Sequence, residues 1–202
     1  MKIETLPAGL LETNCYLVKD DASRTLYVID PGGDAEKLVS AAEKYTFERC
    51  VILLTHYHID HVAAAGTAAR ELKAETVFLR KEDQPYYYSP ENHLLPYVPP
   101  ASDLPQVTDV LPEGCCFTLL ELPGHTPGGA GFYCAAEKVL FAGDTIFASS
   151  IGRTDFPGGD YDTLINSIRQ EIFSLPDEVT IYPGHGGATT VGAERVSNPY
   201  LS

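Results

Sequence analysis

Thr55-His56-Tyr57-His58-Ile59-Asp60-His61 is the stretch on which the reading of this chain turns. It holds three of the chain's six histidines within six positions, with Asp60 among them. A His-x-His-x-Asp-His pattern should arise by chance in roughly one chain of this composition in several thousand, so it asks for a chemical explanation. Imidazole nitrogens and carboxylate oxygens are the donors that zinc-like metals take. In extended chain, positions i and i+2 point the same way, so His56 and His58 can grip one ion together. Asp60 and His61 are adjacent, so their side chains are expected to diverge; at a helix start they could serve a second ion nearby.

Three more donors follow, each after a strand-like run and beside glycine. His125 lies in Leu122-Pro-Gly-His-Thr-Pro-Gly128, Asp144 in Phe141-Ala-Gly-Asp-Thr145, and His185 in Tyr182-Pro-Gly-His-Gly-Gly187. The flanking Gly and Pro make tight turns and permit close backbone approach. Five histidines and two aspartates then suit two ions with three protein ligands each and one shared carboxylate. Asp30, closing a strand before Pro31-Gly32-Gly33, is a candidate for orienting a ligand, with a turn cap as the plain alternative. His93 has no partner pattern.

Around these motifs, residues 13–19, 25–30, 50–54, 76–79, 117–122, 131–134, 138–142 and 179–182 read as strands. The apolar run Cys50–Leu54 suits a strand buried on both faces. Helices are expected over about 35–45, capped by Asp34, then 61–73, 161–173 and 190–196. Residues 84–105 hold six prolines and no helical period, which predicts a long ordered loop. Tyr86, Tyr87, Tyr88 and Tyr97 could cover a cleft there, although packing is the simpler role. Strands in runs with interspersed helices predict a mixed α/β layered architecture.

A chain of 202 residues is most simply one domain with a sizeable core. A net charge of −14 argues against a nucleic-acid partner, since such proteins carry basic stripes. No signal-peptide core and no apolar run of membrane-spanning length is present, so the expected location is the cytoplasm and no membrane partner is expected. Five cysteines without Cys-x-x-Cys are expected as free thiols, mostly small buried hydrophobes.

The four motifs, in this order, resemble those of the metallo-β-lactamase-fold hydrolase superfamily, over a span from about residue 12 to the end. Within it the chain resembles the compact glyoxalase II-like proteins, the hydroxyacylglutathione hydrolases. The resemblance implies a four-layer αβ/βα sandwich with the metals at one edge between two sheets. It implies one ion held by His56, His58 and His125, another by Asp60, His61 and His185, and Asp144 bridging. The longer glyoxalase II enzymes carry a C-terminal helical domain that helps to hold glutathione. Residues 1–202 are therefore expected as a single metal-binding domain without it. Those enzymes also place a glutathione-contacting Tyr two positions after the last metal histidine, where this chain has Gly187.

Two divalent ions about 3.5–4 Å apart share a water and lower its pKa towards neutrality. The expected reaction is hydrolysis of a thioester such as S-lactoylglutathione to acid and free thiol by metal-bound hydroxide. Asp60 would orient that hydroxide while serving as a ligand. Arg153, where such enzymes have a basic residue near the substrate, would hold a substrate carboxylate; a loop ion pair is its plain alternative. Zinc is the expected metal, with iron or manganese accepted by the same donors. The expected partner is a small thioester, possibly glutathione-derived, and the chain is expected as a monomer or homodimer. Gly152-Arg-Thr-Asp-Phe156 also resembles a segment of the persulfide dioxygenases, which would place a single iron on His56, His125 and Asp144. Hydrolysis of another ester or a lactone is a further alternative, and a binding-only protein a remote one. No signal specific to β-lactams is present.

Overall fold

Alternation of buried side chains on a pleated strand needs something to cover each face, and here the central strands are buried at nearly every position. The computed structural model describes residues 1–202 except 91, 95, 97 and 202. Tyr97, one of the four tyrosines that could cover a cleft, therefore lies outside the described residues. The chain divides into two units, Met1–Cys115 and Cys116–Ser202.

The first unit is built on β1 (Lys2–Ala8), β2 (Thr13–Asp20), β3 (Thr25–Ile29), β4 (Arg49–Leu53) and β5 (Thr76–Phe78), side by side in that order. β1 pairs antiparallel with β2, and β2 with β3; β3, β4 and β5 run parallel. The parallel steps need crossovers. One carries α1 (Ala35–Ala42); the other carries α2 (Ile59–Val62) and α3 (Ala65–Glu71). Leu17, Leu26, Val28, Cys50 and Ile52 pack in one cluster with Leu38, Ala41 and Ala42 of α1 and Ala65 and Ala68 of α3. Each such Leu, Ile or Val contributes about 1.5–3 kcal/mol on burial. The alternate positions Val18, Tyr27, Val51 and Leu53 are buried as well, which explains the unbroken apolar runs.

The second unit comprises β6 (Thr118–Glu121), β7 (Ala130–Cys134), β8 (Val139–Gly143), the two-strand β9 (Ile146–Phe147) and β10 (Ser150–Ile151), α5 (Tyr161–Ser167), β11 (Thr180–Pro183), β12 (Thr189–Thr190) and α6 (Val191–Ser197). Its main sheet runs β12-β11-β8-β7-β6, with β8 and β11 parallel. Leu164, Ile165, Ile168 and Ile172 pack against Leu122, Leu140, Ala142 and Ile181. Asp160 caps α5, its side chain accepting from the Thr163 N–H at 2.8 Å.

Several sequence expectations change. β1 has no strong strand signal, yet it pairs along its whole length with β2. The helix expected over 61–73 breaks into α2 and α3, and it starts two residues earlier. Asp34 does not cap α1: it stands at φ 47°, and its Oδ2 accepts from the Gly9 N–H instead. The expected helix over 161–173 finishes in a wider π turn over Ile168–Ile172. Within the proline-rich segment a short helix α4 (Gln84–Tyr87) forms and buries Tyr87 completely. None of the five cysteines is in a disulfide; Cys15, Cys50 and Cys134 are buried, and burial pushes the Cys50 thiol up to about 12. Among the described residues no helix is long and apolar enough to cross a membrane.

Candidate metal centre

In the first unit the metal-type donors stand at the C-terminal end of β4 and on the first turn of α2. Pro31-Gly32-Gly33 follows β3, next to β4 in the sheet, so the loops after both strands meet. Gly32 marks how closely: a Cβ there would lie 1.7 Å from the Asp60 carbonyl oxygen. The Pro31 carbonyl accepts from the Ala64 N–H at 2.9 Å, tying that loop to the end of α2. Asp30, just before it, stands at φ 50°, a left-handed conformation that Asp tolerates better than most residues.

Asp30 is the hub of the network behind the histidines. Its Oδ1 accepts from the Thr55 N–H at 2.8 Å; its Oδ2 accepts from the Thr55 hydroxyl at 2.6 Å and from His61 Nδ1 at 2.9 Å. Thr55 has one hydroxyl proton and gives it to Asp30. Its oxygen then accepts from His56 Nδ1, 2.9 Å away. Both rings are thereby held as the tautomer with a lone pair on Nε2, the nitrogen available for a metal. Ligand atoms of Asp30, His56 and His61 all lie within 4.8 Å of one another, and the three residues are buried. Asp30 already accepts three hydrogen bonds, so it orients the histidines rather than competing with them.

The His56 and His58 ring centroids are 4.7 Å apart, as the i, i+2 spacing predicts. Asp60 and His61 do not diverge as expected from their adjacency. On the turn of α2 the Asp60 Oδ2 comes within 3.7 Å of His61 Nε2, because helical rather than extended backbone sets their directions. The Thr13 hydroxyl donates to the same Asp60 oxygen at 3.0 Å, which aims the carboxylate.

In the second unit β8 and β11 run parallel and end together, with the Gly184 N–H donating to the Gly143 carbonyl at 2.8 Å. The register shifts between Tyr182 and Pro183, a bulge that re-aims the chain before His185. Asp144 and His185 thus leave neighbouring strand ends, and Asp144 Oδ2 lies 3.6 Å from His185 Nε2. His125, in the turn after β6, comes to 3.7 Å from the same oxygen. Its Nδ1 donates to the Arg153 carbonyl at 2.6 Å, leaving Nε2 towards Asp144. Gly152 permits this approach: a Cβ there would lie 1.9 Å from the Asp144 carbonyl oxygen and 3.3 Å from His125 Nδ1. One carboxylate oxygen between two imidazole nitrogens is the arrangement a bridging ligand requires.

The Arg153 guanidinium pairs with Asp155 through two hydrogen bonds of 2.9 and 2.7 Å and stands 4.5 Å over the Phe156 ring. His93 joins no group of metal-type donors among the described residues. Sequence reasoning passes over Thr13, Asp83 and Asn92. Asp83 Oδ2 accepts from the Tyr57 N–H at 3.1 Å, and Asn92 Nδ2 donates to the Tyr57 carbonyl at 2.8 Å. No spacing links these polar residues to the histidine motif. Tyr57 itself stacks on Tyr86, with centroids 5.0 Å apart; burial, and then the Asp83 charge, push its phenol up to about 12.

Within each unit the donor set is nitrogen and oxygen without thiolate, which fits borderline to hard divalent ions. His56, His61 and His125 are held through Nδ1, which leaves Nε2 as the nitrogen a metal could take.

Comparison with known proteins places the chain in a family. The family model described as the metallo-beta-lactamase superfamily matches residues 8–185. A hydroxyacylglutathione hydrolase, GloC, of Haemophilus influenzae is 40% identical over all of this chain and 99% of its own length. Among solved structures, BLEG-1 B3 metallo-beta-lactamase is 34% identical with a TM-score of 0.87, covering all of both chains. TTHA1623 in a di-iron-bound form is 35% identical with a TM-score of 0.85, again over all of both chains. The expected sandwich fold is therefore that of these proteins, and the chain, a metallo-hydrolase, belongs to the metallo-beta-lactamase superfamily.

Proposed function

We propose that this protein hydrolyses the thioester of an S-acyl thiol, with S-lactoylglutathione as the representative substrate, to carboxylic acid and free thiol. The observation that carries the reading is Asp144 Oδ2 standing 3.6–3.7 Å from the Nε2 atoms of both His125 and His185, a carboxylate set to serve two ions at once. The 40% identity to a hydroxyacylglutathione hydrolase supports the choice of substrate class.

In this reading residues 1–202 act as one metal-binding domain. His56, His58 and His125 would hold one divalent ion and Asp60, His61 and His185 the other, with Asp144 available to both. Two such ions supply Lewis acidity, activating water as a nucleophile at neutral pH and polarising the acyl carbonyl. The chain's own residues set the geometry. Asp30 and Thr55 hold His56 and His61 in the tautomer that offers Nε2. Thr13 holds the Asp60 carboxylate, which orients the attacking water by accepting a hydrogen bond from it. No Ser or Cys nucleophile is needed, and a thiol is a good leaving group. Zinc is the proposed metal, with iron, as in the di-iron form of TTHA1623, or manganese compatible with the same donors.

Arg153 is proposed to hold a substrate carboxylate by exchanging it for Asp155 at an exposed ion pair. Such a surface pair is worth only about 0–1 kcal/mol, so the exchange costs little. Arg153→Ala keeps the carbonyl that His125 donates to. It is expected to raise KM for S-lactoylglutathione by about tenfold, the order of one charged hydrogen bond, with kcat within about twofold. An unchanged KM removes Arg153 from the substrate site.

The deciding measurement is release of glutathione from S-D-lactoylglutathione by protein loaded with zinc, iron or manganese, with nitrocefin alongside as a β-lactam control. Metal-dependent release, abolished by a chelator and restored by the ion, is the expected result. No release with any of the three ions rejects glutathione thioester hydrolysis. Oxygen consumption with glutathione persulfide at one iron per chain would then point to the dioxygenase reading.

A further inference from the structure

The segment Asp83–Asn92 belongs to the proline- and tyrosine-rich stretch that none of the metal motifs touches. β5 lies beside β4 in the parallel sheet, with Phe78 opposite Leu53. Chain leaving the C-terminal end of β5 therefore arrives next to chain leaving β4, which is Thr55–His58. Residues 54–58 form neither helix nor strand, so the peptide groups between the two histidines have no ladder to hold them. Buried peptide groups must still be paired. The Tyr57 N–H goes to Asp83 Oδ2 at 3.1 Å and the Tyr57 carbonyl receives Asn92 Nδ2 at 2.8 Å. Both partners are buried, Asp83 at 0% exposure and Asn92 at 7%. Tyr86, between them in sequence, stacks at 22° on the Tyr57 ring, whose other neighbour is the His58 ring at 4.6 Å.

We propose that Asp83 and Asn92 are positioning residues for the metal centre: they clamp the peptide on both sides of Tyr57 and so fix the spacing and aim of His56 and His58 as a ligand pair. The inference rests on the reading above that these two histidines bind metal. Two bonds, one to each peptide group that flanks the Tyr57 Cα, restrain it from rotating, whereas either alone would leave a hinge. Rotation of that residue changes the angle between the two imidazoles, and a small divalent ion tolerates little such change. Both bonds are made to the Tyr57 backbone, so their loss should weaken the ion's binding without removing a donor.

The test uses the full chain with zinc, titrated against a chromophoric chelator, and with cobalt(II) for its visible spectrum. Asp83→Ala and Asn92→Ala are each expected to weaken binding of one ion by about 10–100-fold, the usual cost of losing a partner behind the ligands. Each should alter the cobalt spectrum while far-UV circular dichroism stays native. Asp83→Asn keeps an oxygen that can accept from the Tyr57 N–H and is expected to restore most of the affinity. Folded alanine variants with wild-type zinc affinity and an unchanged cobalt spectrum would overturn the proposal. So would variants that do not fold, since the segment would then be scaffold for the whole unit. His58→Ala, measured beside them, separates the two readings. If it loses zinc while the Asp83 and Asn92 variants do not, the clamp alone is wrong. If it keeps both ions at wild-type affinity, the ligand assignment falls and the clamp with it.

Discussion

His58→Ala should lose one bound ion and hydrolytic turnover together. Binding of an ion by four protein donors is worth about 10–16 kcal/mol, so one donor carries roughly 3 kcal/mol and its loss weakens binding about a hundredfold. Lewis-acid stabilisation is worth several kcal/mol, and each 1.36 kcal/mol is tenfold, so kcat/KM should fall by about 10²–10⁴-fold. The side chain is polar and is not one of the apolar groups that pack around Leu17 and Ile52, so the fold should survive. A bound ion stabilises the folded state in proportion to ln(1 + [ion]/Kd). The variant should therefore melt below the metal-loaded wild type and above chelator-treated wild type, since the ion proposed at Asp60, His61 and His185 is retained. Metal analysis, turnover and melting of the two proteins check this. A variant that is metal-free yet fully active would remove the metal from the mechanism.

Gly32→Ala should be nearly as damaging, although Gly32 carries no functional group. The added Cβ would stand 1.7 Å from the Asp60 carbonyl oxygen and 2.8 Å from its carbon, both backbone atoms that cannot swing aside. The loop is tied to the end of α2 through Pro31 and Ala64, and α2 carries Asp60 and His61. Relief must move one of these backbones by an ångström or more. Overpacking of this kind costs about 1–3 kcal/mol, and a misplacement of about 1 Å at a reacting centre costs about 10²-fold in rate. A lowered melting temperature with turnover down by that order is expected, the loss falling on the ion held by Asp60 and His61. Gly187→Ala is the control for stability, since a Cβ there would meet nothing within 4 Å. Wild-type turnover in Gly32→Ala would mean that the loop yields freely and that the close approach has no part in placing Asp60.

Much of this was legible in the chain itself, for particular reasons. The i, i+2 spacing of His56 and His58 is a local property of extended backbone, and it holds. The strands at 13–20, 25–29 and 49–53 were readable because burial on both faces favours the near-continuous runs Cys15–Val18, Leu26–Ile29 and Cys50–Leu53. β1 was not readable: its residues Lys2, Glu4 and Thr5 look like surface, and full pairing with β2, not its own propensity, makes it a strand. The break between α2 and α3 and the helical turn in the proline-rich segment likewise follow from packing that leaves no periodic trace.

The donors themselves, their types and their order are written in the sequence, because metal chemistry restricts which side chains can serve. What tertiary structure alone decided is the support behind them. Asp30 reaches Thr55 and His61 across 25 and 31 positions, and Asp83 and Asn92 reach Tyr57 across 26 and 35. No spacing rule spans such separations; neighbouring parallel strands close them by ending side by side. Glycine positions show the same division. The decisive property of Gly32 and Gly152 is the missing Cβ that lets Asp60 and Asp144 approach. Local chemistry names the candidate ligands; only the pairing of distant strands sets their angles, because a hydrogen bond to a ring nitrogen or a peptide group depends on where another segment happens to pass.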